Sequence, residues 1–382
     1  MRFGDLYSRW SEQRITQQEA AYLLGVSERT FRRHCRSYEA AGAEGLYDAR
    51  LAKPAHNAAP VDEVLELLSL FESQYSTYSV SHFYDRYRDK HKGERSYNWV
   101  RRQLQSSGQV SKTKKRGRHR RKRERAPMAG MLLHQDGSSH EWVSGKEWDL
   151  IVTMDDATSE VYSGFFVEEE GTHSSLQGVK EVIEAKGLFC SLYTDRGSHY
   201  WRTAKAGDKV DKEHVTQFGR AMKQLGIEMI AAYSPEARGR SERLFGTLQQ
   251  RLTKDLQAEG ITSMEAANRY LKETYWAQHN KRFAVKARED EGAFVPWFDP
   301  GMNLNDILCI QEQRTVNKDN TVSYQGKQLQ IPKHRTRYHF SKAKVRVHEY
   351  QDRGLAIFHG PRCLGRYDEQ GELLEEERKQ AA

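Results

Sequence analysis

The sequence predicts a multidomain chain with an all-α front, a central α/β region built on a mixed sheet, and a small β-barrel at its end. Three observations carry that expectation. Apolar residues recur at helical spacing up to about residue 105. Short apolar runs then alternate with helical stretches from Met131 to Leu256, the pattern of strands with helices on their faces. After Pro300, short strands at close spacing take over.

Charge is distributed unevenly over these regions. The 382 residues carry a net +8, but residues 1–125 hold 26 Lys and Arg against 15 Asp and Glu, while the remaining 257 residues hold 35 against 38. A basic front of this kind fits a polyanion partner, nucleic acid above all. No run approaches the ~20 apolar residues of a membrane span, and the N-terminus has no apolar leader. No membrane partner is expected, therefore, and the expected location is the cytoplasm. Cys35, Cys190, Cys309 and Cys363 form no CxxC pair, which argues against a disulfide framework and a thiolate zinc site.

Residues 1–53 read as a helical DNA-binding module. Thr16 with Glu19 forms a capping box ahead of an apolar stretch, Gly25 ends that helix, Val26 plugs the turn, and Ser27 caps a second helix. Phe31 and Cys35 share the inner face of that second helix, leaving Arg29, Thr30, Arg32 and Arg33 to face outward, as in a helix-turn-helix. Pro54–Pro60 is a linker. Residues 61–110 read as a second helical, winged-helix-like unit, with Tyr97, Trp99, Val100 and Leu104 inward and Arg101 and Arg102 outward. Residues 111–126 form a basic linker: 112–125 contains ten Lys and Arg and one Glu, including Lys114, Lys115, Arg116, Arg120, Arg121, Lys122 and Arg123.

Residues 127–300 form the α/β region. Strands are expected at Met131–Asp136, Leu150–Asp155, Val161–Val167, Leu188–Thr194 and Glu228–Ala232, with helices near His173–Ala185, Glu213–Leu225 and Arg238–Leu256. In residues 305–370, hairpins are expected between Arg314–Val316 and Thr321–Tyr324 and between Lys344–Tyr350 and Leu355–Phe358. Residues 371–382 form an acidic tail.

Asp136 and Asp195 each close a strand, and Glu242 lies one turn into the last helix of the α/β region. Three carboxylates from two strand ends and a helix make an oxygen-only ligand set suited to Mg²⁺ or Mn²⁺, with two ions expected. Asp155 and Asp156 are expected to cap or turn the chain, and Arg238, Arg240 and Arg243 to meet phosphate beside Glu242.

Four segments carry a family resemblance: His134-Gln135-Asp136-Gly137-Ser138, Met154-Asp155-Asp156-Ala157-Thr158-Ser159, Tyr193-Thr194-Asp195-Arg196-Gly197-Ser198, and Ser234 to Arg243. In that order they resemble the catalytic core of DDE transposases of the retroviral-integrase superfamily. With the flanking regions, the chain resembles bacterial insertion-sequence transposases of the ISNCY type. The resemblance implies an RNase H-like catalytic core, with Asp136, Asp195 and Glu242 as the metal-binding catalytic triad. It also implies a homo-oligomer on double-stranded DNA, acting on element terminal repeats and on target DNA at the bacterial nucleoid, with no small-molecule substrate. The 46 residues between Asp195 and Glu242 exceed the family's usual spacing, and the excess fits the polar stretch Trp201–Thr216. Two other readings stand beside this one: a regulator that only binds DNA, and an RNase H-like nuclease without end specificity.

Overall fold

The computed structural model describes residues 2–48, 59–112, 123–203, 209–211, 213–233, 239–298, 303–333 and 337–374. By compactness the chain divides into Met1–Ser76 with Gly93–Ser111, and Thr77–Lys92 with Lys112–Ala382.

The first unit is helical throughout its described residues. A helix not anticipated from the sequence, α1 (Phe3–Ser11), precedes α2 (Gln17–Leu24) and α3 (Glu28–Ala41). Both halves of the Thr16–Glu19 capping box form, and Gly25 ends α2 in the left-handed region at φ 74°. Ser27 accepts the Thr30 N–H to start α3. Leu6, Ala20, Ala21, Phe31 and Cys35 build the core, the last two on the inner face of α3. Further on, α4 (Val61–Gln74) and α6 (Tyr97–Ser106) bury Leu67, Phe71, Val100 and Leu104. Arg95 pairs with Glu63 in this unit.

In the second unit, α5 (Val80–Asp89) accompanies a five-stranded mixed sheet. The strands are β1 (Leu132–Val143), β2 (Lys146–Asp155), β3 (Val161–Val167), β4 (Ser191–Thr194) and β7 (Glu228–Ala231), in the order β3-β2-β1-β4-β7. β1, β2 and β3 run antiparallel, whereas β4 and β7 join parallel to β1. One face packs on α7 (Thr172–Lys186) and α8 (Gln217–Leu225) through Leu133, Leu176, Val179, Leu192, Phe218 and Met222. The other packs on α9 (Ser241–Ala258) through Leu150, Val152 and Met154 against Leu244, Leu248 and Leu252. A short hairpin, β5 (Arg202–Thr203) with β6 (Val210–Asp211), takes up the extra length between Asp195 and α9.

The edge strand β3 is closed by side chains. They come from α10 (Met264–Tyr270), a π-turn at Leu271–Tyr275, and α11 (Trp276–Phe283). Asn268 exchanges hydrogen bonds with Phe166 N and O, Trp276 Nε1 donates to Gly164 O at 2.7 Å, and Asn280 pairs with Val161 N and O. These bonds occupy the edge's free backbone groups, which would otherwise offer a pairing template. On the outer side of α9, α5 is pinned by His82 on Asp255 and by Arg251 on Asp85 and Ser81.

The C-terminal strands differ from expectation. After α12 (Leu304–Ile307), β8 (Ile310–Thr315) pairs with β11 (Lys344–Glu349), not with β9 (Thr321–Tyr324). β9 instead forms a hairpin with β10 (Lys327–Gln330). The five-stranded sheet is completed by β12 (Leu355–His359), β13 (Arg362–Tyr367) and the two-residue β14 (Leu373–Leu374), in the order β14-β13-β12-β11-β8. No closed barrel forms among the described residues, because the end strands β14 and β8 do not pair. The β9–β10 hairpin covers the sheet face instead, packing Val322, Tyr324 and Leu329 on Val345, Val347 and Ile357. A barrel would need tilt and stagger to match around the ring, and a two-residue end strand offers little to close on. Among the described residues, no helix is long and apolar enough to cross a membrane.

Candidate active site

The alternation of β1 decides which side chains meet here. Leu133 and Gln135 point to the α7 face, where Gln135 is fully engaged: its Nε2 donates to Thr153 Oγ1 and Ser175 O, and its Oε1 accepts from the Tyr200 hydroxyl. His134, Asp136 and Ser138 therefore face α9. Their antiparallel partners are Met154, Val152 and Leu150, the three β2 residues buried under α9.

The parallel ladder between β1 and β4 pairs Leu133 with Leu192 and His134 with Tyr193. Two residues past that pair lie Asp136 and Asp195, on strands about 4.8 Å apart where they pair. Asp195 follows the last residue of β4, but Asp136 does not close its strand as the sequence suggests, because β1 continues to Val143 along its ladder with β2. Asp136 is buried. Behind Asp195 the chain turns tightly, with Gly197 N donating to Asp195 Oδ1 at 2.8 Å. A Cβ at Gly197 would lie 3.0 Å from that oxygen and 2.9 Å from the His199 ring.

Glu242 is exposed in the first turn of α9. Seven residues on, and so on the same stripe, Gln249 donates to Ser138 Oγ at 3.2 Å. Arg240, at the helix start, reaches Asp156, which also holds His134, so α9 runs in the same direction as β1. From Gln249 back to Glu242 is about 10 Å of helix. From Ser138 back to Asp136 is about 7 Å of strand. Glu242 thus reaches the level of Asp136 and His134 on their shared face. The three carboxylates are not drawn into one ligand sphere: among the described residues, no group of three His, Cys, Asp or Glu is close enough to hold a metal ion. Their chemistry remains that of an all-oxygen donor set.

Asp155 makes the expected turn, accepting Thr158 N–H on Oδ1 and Gly130 N–H on Oδ2. Asp156 does more. It is wholly buried and accepts from Ala126 N at 2.7 Å, from His134 Nε2 at 2.7 Å, and from Arg123 and Arg240. Burial alone would raise its pKa, but the His134 hydrogen bond, the Ala126 N–H and the cationic Arg240 hold it well below the usual carboxylate range. Arg123 and Arg240 are thus engaged inside the protein. Arg243 is exposed and bonds Gly239 O. On α3, Arg29, Arg32 and Arg33 are exposed, whereas Thr30 shares the N-cap with Ser27. Arg101 and Arg102 are exposed on α6. Lys114, Lys115, Arg116, Arg120, Arg121, Lys122 and Arg238 lie outside the described residues.

Parts of the chain are similar to known proteins. The family described as winged helix-turn helix matches residues 5–63. A Sinorhizobium fredii protein, y4bF, whose name places it among transposases, is 28% identical over 356 residues, covering 92% of this chain and 77% of its own length. The transposase for insertion sequence IS1202 of Streptococcus pneumoniae is also 28% identical, over 348 residues, covering 82% of this chain and 74% of its own. The chain is thus similar, over most of its length, to two proteins named as transposases, one of them from an insertion sequence. Among solved structures, the magnesium-bound HTLV-2 integrase catalytic core matches 37% of this chain and 83% of its own at 15% identity, with a TM-score of 0.29.

The acids have two neighbours that the sequence does not single out. Glu170 leans over the backbone beside Asp136, so that a Cβ at Gly137 would collide with its carboxylate; its Oε1 is 3.3 Å from His199 Nε2. Tyr200 lies beneath, donating to Gln135. Burial first, then the charges of Glu170, Asp136 and Asp195, push its hydroxyl well above the usual phenol range. The one local signal is the glycine that follows each Asp within two positions, which leaves room for a close neighbour.

Proposed function

We propose that the chain is a DNA transposase that cleaves the ends of an insertion sequence and joins them to target DNA, with Asp136, Asp195 and Glu242 as its catalytic carboxylates. The observation that carries this reading is the placement of Asp136 within β1 beside the end of the parallel strand β4, which Asp195 follows, with Glu242 at the same level on the helix covering that face. Exposed arginines on α3 support end recognition through base edges and phosphates. The basic segment 112–122 supplies affinity for any duplex. The end-bound state is a homo-oligomer.

Asp136, Asp195 and Glu242 would hold Mg²⁺ or Mn²⁺ as a ligand set completed with DNA in place, where the ions would polarise a phosphodiester and lower the pKa of an attacking hydroxyl group.

The chain's own residues do the rest. The carboxylates would hold those ions between β1, β4 and α9, where the ions offset the phosphate's charge, and Glu170, His199 and Tyr200 frame the acids beside them. In the first step a water oxygen bonds to phosphorus and the bond to the element's 3′ oxygen breaks, leaving a 3′-hydroxyl. In the second, that hydroxyl bonds to a target phosphorus and a target 3′ oxygen leaves. Positioning and charge neutralisation account for the rate, and no covalent protein–DNA link is required.

The test is cleavage and strand transfer on DNA bearing the element's ends, with Mg²⁺, comparing wild type with Asp136→Asn and Glu242→Gln. Both variants should bind the ends and lose both steps. Wild type that binds ends without cutting favours the regulator. Cutting that ignores the end sequence favours the nuclease, and full activity in Glu242→Gln removes that residue from the triad.

A further inference from the structure

Among the described residues, six helices begin on a Ser or Thr side chain that accepts a backbone N–H in the first turn: α2, α3, α5, α6, α8 and α10. The helix that carries Glu242 does not. Its N-cap position is Arg240, in helical conformation and with no side-chain cap bond. Two residues before Glu242, therefore, the start of α9 depends on what holds Arg240. That side chain is 11% exposed and bonds at two places: one guanidinium nitrogen to Asp156, the other to Arg123 O at 2.8 Å.

Asp156 is itself held firmly. Its backbone N–H donates to Leu132 O at 2.9 Å at the head of β1, and its carbonyl accepts from Arg125 Nη1 at 2.9 Å. Its Oδ2 takes the Ala126 N–H, and its Oδ1 takes His134, Arg123 and Arg240. The residues it gathers come from three places: the exit of the basic segment at 123–126, strand β1 two residues before Asp136, and the start of α9 two residues before Glu242. Arg123 is the most open of its cationic partners, with its side chain 36% exposed.

We propose that Asp156 is a positioning residue that sets the first turn of α9, and through it Glu242, and that joins this setting to the docking of the basic segment's end. DNA held by residues 112–122 anchors the chain that leads into Arg123, whose carbonyl and side chain brace Arg240 and Asp156. DNA binding then tightens the helix start that presents Glu242. This role rests on the reading of Glu242 as catalytic, but its structural half can be measured without activity.

The experiment is amide hydrogen exchange at residues 241–245 in the full-length chain, with and without end-bearing DNA, alongside single-turnover cleavage. In wild type, DNA should slow exchange there. Asp156→Asn and Arg240→Ala should each speed it about tenfold without DNA and remove the slowing by DNA, while residues 150–154 of β2 keep their protection. Asp156→Asn should cleave about tenfold more slowly with its DNA affinity kept, since the loss lies in geometry and not in binding. Should Asp156→Asn loosen β2 as well, Arg240→Ala, whose side chain lies at the core's rim, decides. Unchanged exchange at 241–245 in that variant overturns the proposal, as does exchange in wild type that DNA does not alter. An active Glu242→Gln beside faster exchange at 241–245 in Arg240→Ala overturns the catalytic reading and leaves the positioning role standing. An inactive Glu242→Gln beside unaltered exchange in Arg240→Ala overturns the positioning role alone.

Discussion

Lowering the pH from 7 to 5 should destabilise the core through one buried ring, that of His279. It lies on α11, 4% exposed, among Tyr275, Trp276 and Phe283, with its Nδ1 lacking a hydrogen-bond partner. Burial first, and the nearby Arg251 charge second, push its pKa down to about 4 from 6.5. In the unfolded chain the ring takes its proton near pH 6.5, while in the fold it stays neutral. Stability is therefore complete above that pH and is lost as the pH falls toward 4. At 1.36 kcal/mol per pH unit, the loss reaches about 2 kcal/mol at pH 5. Asp156 and Asp255, whose folded pKa values are depressed, add to acid loss only below the carboxylate range, so they do not blur this window. His82 and His348 also have depressed values, and they act equally in wild type and variant. Urea unfolding followed by tryptophan fluorescence, which Trp276 beside the ring makes sensitive to this region, should show His279→Gln losing about 2 kcal/mol less than wild type between pH 7 and 5. Equal losses in the two proteins would refute the assignment of a buried neutral ring.

Other perturbations test packing and charge. A Cβ at Gly164 would collide with the Trp276 indole, which is tied by its own hydrogen bond to Gly164 O, so Gly164→Ala should cost about 1–3 kcal/mol in the same unfolding assay. Asn280→Ala strips Val161 of partners for both its N–H and its C=O at the sheet edge; a loss of about 1–3 kcal/mol with increased self-association by light scattering is expected, and unchanged light scattering would count against edge closure. Replacing the eight Lys and Arg of residues 112–122 with Ser and Gln should weaken binding to every duplex and flatten the salt dependence, by about 0.9 in slope for each phosphate no longer neutralised, with sequence preference kept by α3. A change in preference would move sequence reading away from Arg29, Arg32 and Arg33.

What is legible in the sequence and what is hidden there separate by range. The Thr16–Glu19 box, the Ser27 cap and the Gly25 stop act within four residues, so their residues name their roles directly. The strand before Asp195 is readable because a buried strand is a short apolar run and an acid after it breaks that run, whereas β1 runs past Asp136 to Val143 through polar residues that hide its second half. The pairing of β8 is unreadable for the complementary reason. Two strand-like runs across a polar turn look like partners, but β8 satisfies its backbone on β11, about thirty residues away, and nothing local records that choice.

The functional consequence of range is sharpest around the two asparagines and Asp156. Asn268 and Asn280 look like ordinary helix-surface residues until the fold brings them, 102 and 119 residues away in sequence, onto the open edge of β3. Asp156 looks like half of a turn, and Asp155 beside it is one, yet Asp156 directs its carboxylate to groups 30, 22 and 84 residues distant. That difference changes the reading of the arginines near Glu242. On charge alone, Arg123 and Arg240 belong with the phosphate-binding set. A guanidinium held on a buried carboxylate already has a partner, however, and taking Arg240 for DNA would leave Asp156 with its buried charge less well compensated. On the proposed reading, then, Arg240 holds the turn that carries Glu242, and phosphate contact beside it falls to the exposed Arg243 three residues further on.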